Sequence, residues 1–457
     1  MDPDLFKTTS LEKSKWGDHI THILAAVFDA VEPGVAVAHH MKREGDTLLV
    51  NNHSYLLNRY QRIFLIGAGK AGESMAHAAT EILGERLTQG IIIVKDGYKN
   101  AILGQFPTTL EILEASHPLP DKRGIAATRK IISLLDKTNS DDLVICLISG
   151  GGSALLTQPI IGVSLDDLRI LTNSMLDCGA TINEINTLRK HIDQVKGGQL
   201  ALLASPAQLI TLILSDVIAN PLDSIASGPT VPDPSTFSLA IQILDKYHLV
   251  DKIPRSISNH LLLGEKGEIN ETPKPNDQIF HRVQNILVGS NEQAIQAALI
   301  QASKEGFKTK LLTTSLIGEA QEAGKWLGSI TSEVASIGQP ICRPACLVAG
   351  GETTVTIHGN GLGGRNQEMA LAAVRQIAGL QDIILVTLAT DGGDGPTDAA
   401  GAVVTCETLA RAEALGLDPD DYLSRNDSYH FFAPLGDLIK TGPTYTNVND
   451  LAFIFAF

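Results

Sequence analysis

The chain of 457 residues is short of positive charge, of cysteine and of long apolar runs. Its 36 Lys and Arg stand against 51 Asp and Glu, a formal net charge of −15. A nucleic-acid partner needs a basic face, so none is expected. An acidic protein that handles anions must instead gather its few cations in one place. The cysteines are Cys146, Cys178, Cys342, Cys346 and Cys406, an odd and loosely spaced set. Cys342 and Cys346 lack the second pair or nearby His of a metal site, so buried thiols in a reducing cytoplasm are expected. No run of about 18 apolar residues occurs, so no membrane span is expected. The opening MDPDLFKTTSLEKSK has no basic segment followed by an apolar one and does not read as a signal peptide.

What the chain does have is length and apolar strands that end in glycine turns. Its length predicts two domains. Strand Arg62–Ile66 runs into Gly67-Ala68-Gly69-Lys70-Ala71-Gly72 and then a helical pattern, the first half of a βαβ unit. The next strand ends at Asp96, so the letters match the dinucleotide fingerprint G-x-G-x-x-G with an acid downstream. Lys70 inside the turn suggests another use, an ammonium placed where phosphates would lie. A Walker A loop is excluded by spacing. A glycine turn that serves only helix–strand packing stays open beside both.

After the rigid loop His117-Pro118-Leu119-Pro120, a continuously apolar strand from Leu143 to Ile148 opens into Ser149-Gly150-Gly151-Gly152-Ser153. Such a turn can form a nest of N–H donors for an anion. A nucleophilic serine is the rival, but Leu155 stands where the nucleophile elbow needs its last glycine. From Asn186 to Gly198 an amphipathic helix is expected, with Leu188, Ile192 and Val195 on one face and Arg189, Asp193 and Lys196 on another. A solvated charged face is the plain reading; the cations, Lys190 and Lys196 among them, leave room for phosphate. The next apolar strand ends in Ser215-Asp216, and an acid at a strand's carboxyl end is where α/β enzymes keep catalytic groups. Pro229, Pro232 and Pro234 mark a boundary. The expected divisions are a first domain at 1–235, connecting helices and linker at 236–275, and a second domain at 276–457.

The most densely patterned stretch runs from Ala349 to Ala372, AGGETTVTIHGNGLGGRNQEMALA. An apolar strand meets Gly350-Gly351-Glu352, a short strand TTVTIHG follows, and Gly363-Gly364-Arg365-Asn366 opens a helix. A fixed cation beside the unpaired amides of a helix N-terminus suits a phosphate or carboxylate. A glycine-rich hairpin with an exposed Arg is the alternative. Further on, Thr390-Asp391-Gly392-Gly393-Asp394 offers acids suited to Mg²⁺, or simply a polar turn whose acids cap backbone amides.

Together these turns and acids suit phosphoryl transfer, which rests on positioning and cations. The chain resembles the type II glycerate kinases, the glycerate 2-kinase family whose C-terminal part is the MOFRL domain. The resemblance is carried by Gly67–Gly72, Ser149–Leu156, Lys190–Ala201, Ser215–Pro229, Gly350–Glu368, Thr390–Gly401 and Gly442–Leu451, nearly the whole length. It implies an α/β fold of two domains, the first Rossmann-like with helices on both faces of a parallel sheet, and an active site in a cleft between them. It implies transfer of the ATP γ-phosphoryl group to the 2-hydroxyl of D-glycerate, with Mg²⁺, in a cytoplasmic enzyme compatible with a homodimer. On this resemblance Lys70 and Arg365 are the catalytic cations; Lys70 is assigned to the transferring phosphoryl group, Arg365 to the glycerate carboxylate or a phosphate, and Asp216 to orienting or deprotonating the hydroxyl. Gly67, Gly69, Ser149, Gly150, Gly151, Gly152, Ser153, Lys190, Lys196, Gly363, Gly364 and Asn366 bind substrate or nucleotide, and Glu352, Asp391 and Asp394 are metal candidates. The alternative is an NAD(P)H-dependent hydroxypyruvate reductase. Three positions depart from the family pattern: Asp193, Gln199 and Tyr445, the last in a loop where a Tyr resists positive φ and is expected to alter the shape.

Overall fold

In the computed structural model, which describes residues 1–99 and 106–457, the apolar strands assemble into two sheets of six strands each. The first holds β1 (Arg62–Ala68), β2 (Gln89–Lys95), β3 (Leu110–Ala115), β4 (Asp142–Ile148), β5 (Gln208–Leu214) and β6 (Val283–Gly289). Their lateral order is β3-β2-β1-β4-β5-β6, with parallel pairing from β3 through β5. β4 is buried along its whole length, as its unbroken apolar run predicts for a strand covered on both faces. Helices Gly72–Leu83 and Lys122–Leu135 follow β1 and β3, and Ile66, Ile93, Ile131, Val144 and Ile213 share one core. The order reverses between β1 and β4. Such a switch point is where open α/β sheets bind ligands, beyond the strands' carboxyl ends.

The second sheet holds β7 (Lys308–Leu316), β8 (Ala345–Gly351), β9 (Ile383–Ala389), β10 (Gly401–Thr405), β11 (Leu438–Ile439) and β12 (Asp450–Ala456), in the order β7-β8-β12-β9-β10-β11. Only β7–β8 is parallel among its pairs; β12 runs antiparallel between β8 and β9 and is buried throughout. A small antiparallel sheet, Met41–Glu44, Thr47–Val50 and His53–Leu56, lies outside both. No single helix among the described residues is long and apolar enough to cross a membrane.

The divisions at 1–235, 236–275 and 276–457 are corrected by the packing. The compact units are Pro33–Val288 and, together, Met1–Glu32 with Gly289–Phe457. Helix Gly17–Val31 buries Ile20, Leu24, Val27 and Phe28, and it packs on helix Asn291–Lys304 of the second unit. An apolar face does not encode which sheet it will cover. The stretch read as a linker is core: Phe237, Leu244 and Leu261 pack with Leu188 and Ile192. β6, assigned from sequence to the second domain, is an edge strand of the first sheet.

Two local expectations also fail. TTVTIHG is not a strand, because acceptors outside any ladder take its amides: Thr356 donates to Glu319 Oε2, and His358 and Gly359 both donate to Asn426 Oδ1. The helix expected to reach Gly198 ends at His191; Gly197 and Gly198 then turn with φ of +57° and +81°.

Candidate functional site

β1 and β4 end side by side, and their two glycine turns lock together. The amide of Gly69 donates to the Ile93 carbonyl (3.1 Å), that of Lys70 to the Gly150 carbonyl (2.8 Å), that of Ala71 to Ser149 Oγ (3.1 Å) and that of Gly72 to the Gly69 carbonyl (3.1 Å). Every amide from Gly69 to Gly72 is therefore engaged within the protein. A Cβ on Gly69 would lie 2.0 Å from Ser149 Oγ, and one on Gly67 would lie 2.3 Å from the Leu147 carbonyl oxygen. These glycines admit the neighbouring turn, not a pyrophosphate. Asp96 is gripped by both terminal nitrogens of Arg123 at 2.6 and 2.7 Å. Both halves of the dinucleotide fingerprint are thus occupied by the protein itself, and the turn's remaining product is the placement of Lys70, half-buried beside His117.

The second turn is open. Gly151 is left-handed, with φ of +84°, and among the described residues nothing accepts from the amides of Gly150 or Gly151. Of the nest expected at Ser149–Ser153, the Ser149 amide donates to the Ala68 carbonyl and the Gly152 amide to the Ser149 carbonyl, and Ser149 Oγ is used by Ala71. A Cβ on Gly150 would lie 2.2 Å from Asp216 Oδ2, and one on Gly151 would lie 3.0 Å from the His117 ring. Glycine thus lets a carboxylate and an imidazole lie against the same backbone. Ser153 Oγ meets Ser227 Oγ at 2.8 Å, and Ser227 donates to Asn186 Oδ1 at 3.1 Å. In the loop after β5, Ala219, Asn220, Ala226 and Ser227 all hold φ between 51° and 63°. Each such residue costs about 1–3 kcal/mol, a strain that clusters at functional sites.

Beyond the turn lies a cavity of about 560 Å³ lined, among others, by His117, Ser153, Asn186, Arg189, Lys196 and Asp216. Asp216, expected from sequence, stands half-buried at the end of β5. His117, read from sequence only as part of a rigid loop, was missed as a chemical group. Burial first, then the charges of Lys70 and Lys95, brings its pKa down to about 4, so it is a neutral imidazole at pH 7.

The charged face expected on the 186–198 segment is not solvated. Lys196 is buried and donates to the Leu156 carbonyl (2.6 Å) and Thr157 Oγ1 (3.1 Å), with Asp193 Oδ2 at 3.3 Å. Burial pulls the Lys196 ammonium down and pushes the Asp193 carboxyl up, against their mutual attraction. Asp193 also accepts from the amides of Gln158 and Val195, so this departure from the family pattern is a structural anchor. Gln199 reaches back to the Asp193 carbonyl. Lys190 is buried between Asp223 and Asp233, each at 3.3 Å. Both lysines, read from sequence as candidate phosphate ligands, are held by internal partners here, and Lys196 also lines the cavity.

The Arg365 stretch belongs to the other unit. Arg365 opens helix Arg365–Ile377; its Nη1 donates to Glu352 at 2.7 Å, and its Nε and Nη2 grip Asp450. Asp450 holds the guanidinium firmly protonated, while burial pushes the Asp450 carboxyl itself up to about 7 against that pull. The helix N-terminus, expected to await an anion, already has one: Asp394 accepts from the amides of Asn366 (3.0 Å) and Gln367 (2.8 Å). A Cβ on Gly364 would lie 2.3 Å from the Asp394 carboxyl carbon, and one on Gly363 would lie 2.2 Å from Ser428 Oγ. Asn366 is fully buried. The glycines again admit protein. Among the described residues no three His, Cys, Asp or Glu side chains come together as a metal site. Glu352 is tied to Arg365, Asp394 caps a helix, and Asp391 Oδ1 accepts from the Gly393 amide. These three carboxylates do not fit the Mg²⁺ ligand set expected of them.

Tyr445 holds φ of +59°, the left-handed conformation that a Tyr was expected to resist.

Two family descriptions match the chain: "Domain of unknown function (DUF4147)" over residues 19–262 and "MOFRL family" over residues 345–450. D-glycerate 2-kinase of Thermotoga maritima is 44% identical over 390 residues, covering 85% of this chain and 89% of that one. Glycerate 2-kinase of Pyrococcus horikoshii is 41% identical, covering 94% of each. A protein of Agrobacterium vitis, named provisionally as a hydroxypyruvate reductase, is 40% identical and covers 86% of this chain and 87% of its own. Among solved structures, the glycerate kinase of Thermotoga maritima superposes with a TM-score of 0.85 at 40% identity, covering 95% of this chain and 98% of that one.

Proposed function

We propose that this chain, which belongs to the MOFRL family of glycerate kinases, transfers the γ-phosphoryl group of ATP to the 2-hydroxyl of D-glycerate, giving 2-phosphoglycerate and ADP. The carrying observation is the cavity at the switch point, lined by Asp216, neutral His117 and Gly151, whose amide has no acceptor among the described residues. Phosphoryl transfer needs a placed hydroxyl and compensated phosphoryl oxygens, with little covalent chemistry from the protein. Asp216 orients the acceptor hydroxyl and takes its proton. The Gly150–Gly151 backbone receives oxygens of the acceptor or the phosphoryl group. Lys70 neutralises charge on the transferring group. Arg365 is proposed as a catalytic cation whose fork Asp450 and Glu352 hold in one orientation. Mg²⁺ would arrive on the nucleotide's phosphates, since the carboxylates proposed for it serve other partners. A cytoplasmic setting agrees with five free cysteines.

The reductase alternative loses its support at the engaged Gly69–Gly72 amides and at Asp96. The test is an end-point reaction of D-glycerate, ATP and Mg²⁺ read by phosphorus NMR, with Lys70→Ala and Arg365→Ala alongside. Formation of 2-phosphoglycerate, lost in both variants, is expected. Consumption of NADH with hydroxypyruvate and no phosphorylated glycerate would overturn the reading.

A further inference from the structure

Helix Ile182–His191 turns Ile182, Asn183, Asn186 and Arg189 toward the cavity, the three-to-four-residue spacing of one helical face. Three cations stand close in sequence here, and the structure treats them differently. Lys190 sits between two carboxylates and Lys196 has a carbonyl, a hydroxyl and a carboxylate. Arg189 lines the cavity, and among the described residues no hydrogen bond or ion pair engages its guanidinium. Asp193, the acid whose charge reaches it, is already held by two amides and Lys196. Its surroundings disfavour the charge: burial lowers the Arg189 pKa and Asp193 restores only part. A partly desolvated cation without an anion is an unsatisfied state that a ligand's anion would relieve. Nearby Asn183, Thr172 and Ser224 offer groups to a hydroxylated molecule. A planar guanidinium fork matches a carboxylate through two parallel bonds.

We infer that Arg189 is the carboxylate receptor of this cavity: it pairs with the carboxylate of a small 2-hydroxy acid and so presents that acid's hydroxyl in the space Asp216 lines. The inference rests on the glycerate kinase reading and deepens it, since it makes Arg189 the group that separates hydroxy acids from uncharged polyols. It also frees Arg365, already bound by two carboxylates, from holding the acceptor.

The test is Arg189→Gln and Arg189→Lys in the full chain. Steady-state kinetics are combined with calorimetric titration of D-glycerate without nucleotide, where no turnover occurs. Arg189→Gln is expected to raise KM for D-glycerate about 100-fold or more, with KM for ATP within about twofold and nucleotide-free binding lost. Arg189→Lys keeps charge without the fork and should recover part of the loss. If the wild-type chain fails to phosphorylate glycerate but binds it, and Arg189→Gln abolishes that binding, the kinase reading fails and the receptor stands. Unchanged KM and unchanged binding in Arg189→Gln overturn the receptor whatever the activity. Should Arg189→Gln unfold, Arg189→Lys decides alone: a KM for D-glycerate raised about tenfold supports the inference, and one within about twofold of wild type overturns it.

Discussion

Glycines, a cation and an acid come together in both units, yet the two arrangements differ in what is left over. Around Arg365 the carboxylates of Asp450, Glu352 and Asp394 have taken up the guanidinium and the helix amides. Around the β1–β4 switch point one turn is likewise closed, but among the described residues nothing accepts from the amides of Gly150 and Gly151, and Gly151 and Arg189 line a cavity. The difference teaches that glycine marks close approach without saying what approaches. At Gly69, Gly363 and Gly364 it is the protein's own atoms; at Gly150 and Gly151 glycine seats two reactive side chains, and among the described residues nothing accepts from either amide.

The largest way to break this contrast is to remove the two cations. Arg365→Ala should lose turnover and about 3–5 kcal/mol of stability, because it strands the buried Asp450. Lys70→Ala should lose turnover with a smaller stability change. Denaturant unfolding alongside kcat separates them. Adding Asp450→Asn to Arg365→Ala should restore much of the stability and none of the turnover. An Arg365→Ala variant as stable as wild type would show that its carboxylates do not hold it.

Asp394 gives a smaller effect with a sharper meaning. As a cap on Asn366 and Gln367 it should cost about 1–2 kcal/mol on Asp394→Ala and much less on Asp394→Asn, since Asn also caps. As a metal ligand, Asp394→Asn would raise the Mg²⁺ concentration needed for half-maximal rate. An unchanged Mg²⁺ dependence in Asp394→Asn is expected, and a large rise returns Asp394 to the metal.

The switch-point side is probed by pH. His117 titrates in the fold near 4, against about 6.5 for an unperturbed imidazole. The fold favours its neutral form, so that contribution is complete above pH 6.5 and is lost as pH falls from 6.5 toward 4. His117→Asn should flatten the decline of unfolding free energy across that window and leave the curve above pH 7 parallel to wild type. An unaltered acid limb would mean that His117 is already protonated there.

How far the sequence could be read follows from the range of the interactions. β1, β4, β5, β8 and β9 are mostly apolar runs, and the glycine turns after β1, β4, β8 and β9 are local, so these strands and turns were legible, whereas the lateral order that creates the switch point was not. Burial of charge was not. Lys196 and Asp193 carry the spacing of a solvated helix face, yet a break after His191 turns both inward. Nothing near Asp394 says that its partners are the amides of a helix opening 28 residues earlier. Arg189 was visible as a charge and hidden as a ligand group, because its distinction is that, among the described residues, it lacks the partners that Lys190 and Lys196 both find. Helix Gly17–Val31 announced its apolar face but not the helix Asn291–Lys304 on which it lies.

The smallest expected effect tests how firmly the Arg365 side is packed. Tyr445 is left-handed, a conformation that costs an L-residue about 1–2 kcal/mol. Its neighbours impose it: Thr446 Oγ1 donates to the Val31 carbonyl at 2.7 Å, Thr444 Oγ1 to the Thr390 carbonyl, and the Val448 amide to Thr390 Oγ1 at 2.9 Å. Replacing Tyr445 by Gly removes the steric cost and adds about 0.5–1 kcal/mol of unfolded-chain entropy, so a net gain between about 0 and 1.5 kcal/mol is expected. Tyr445→Val should destabilise, since a β-branched side chain tolerates positive φ worst. If Tyr445→Gly instead loses stability, contacts of the Tyr ring outweigh the strain. If both variants match wild type, the loop relaxes freely, and the close packing attributed to this side stops short of it.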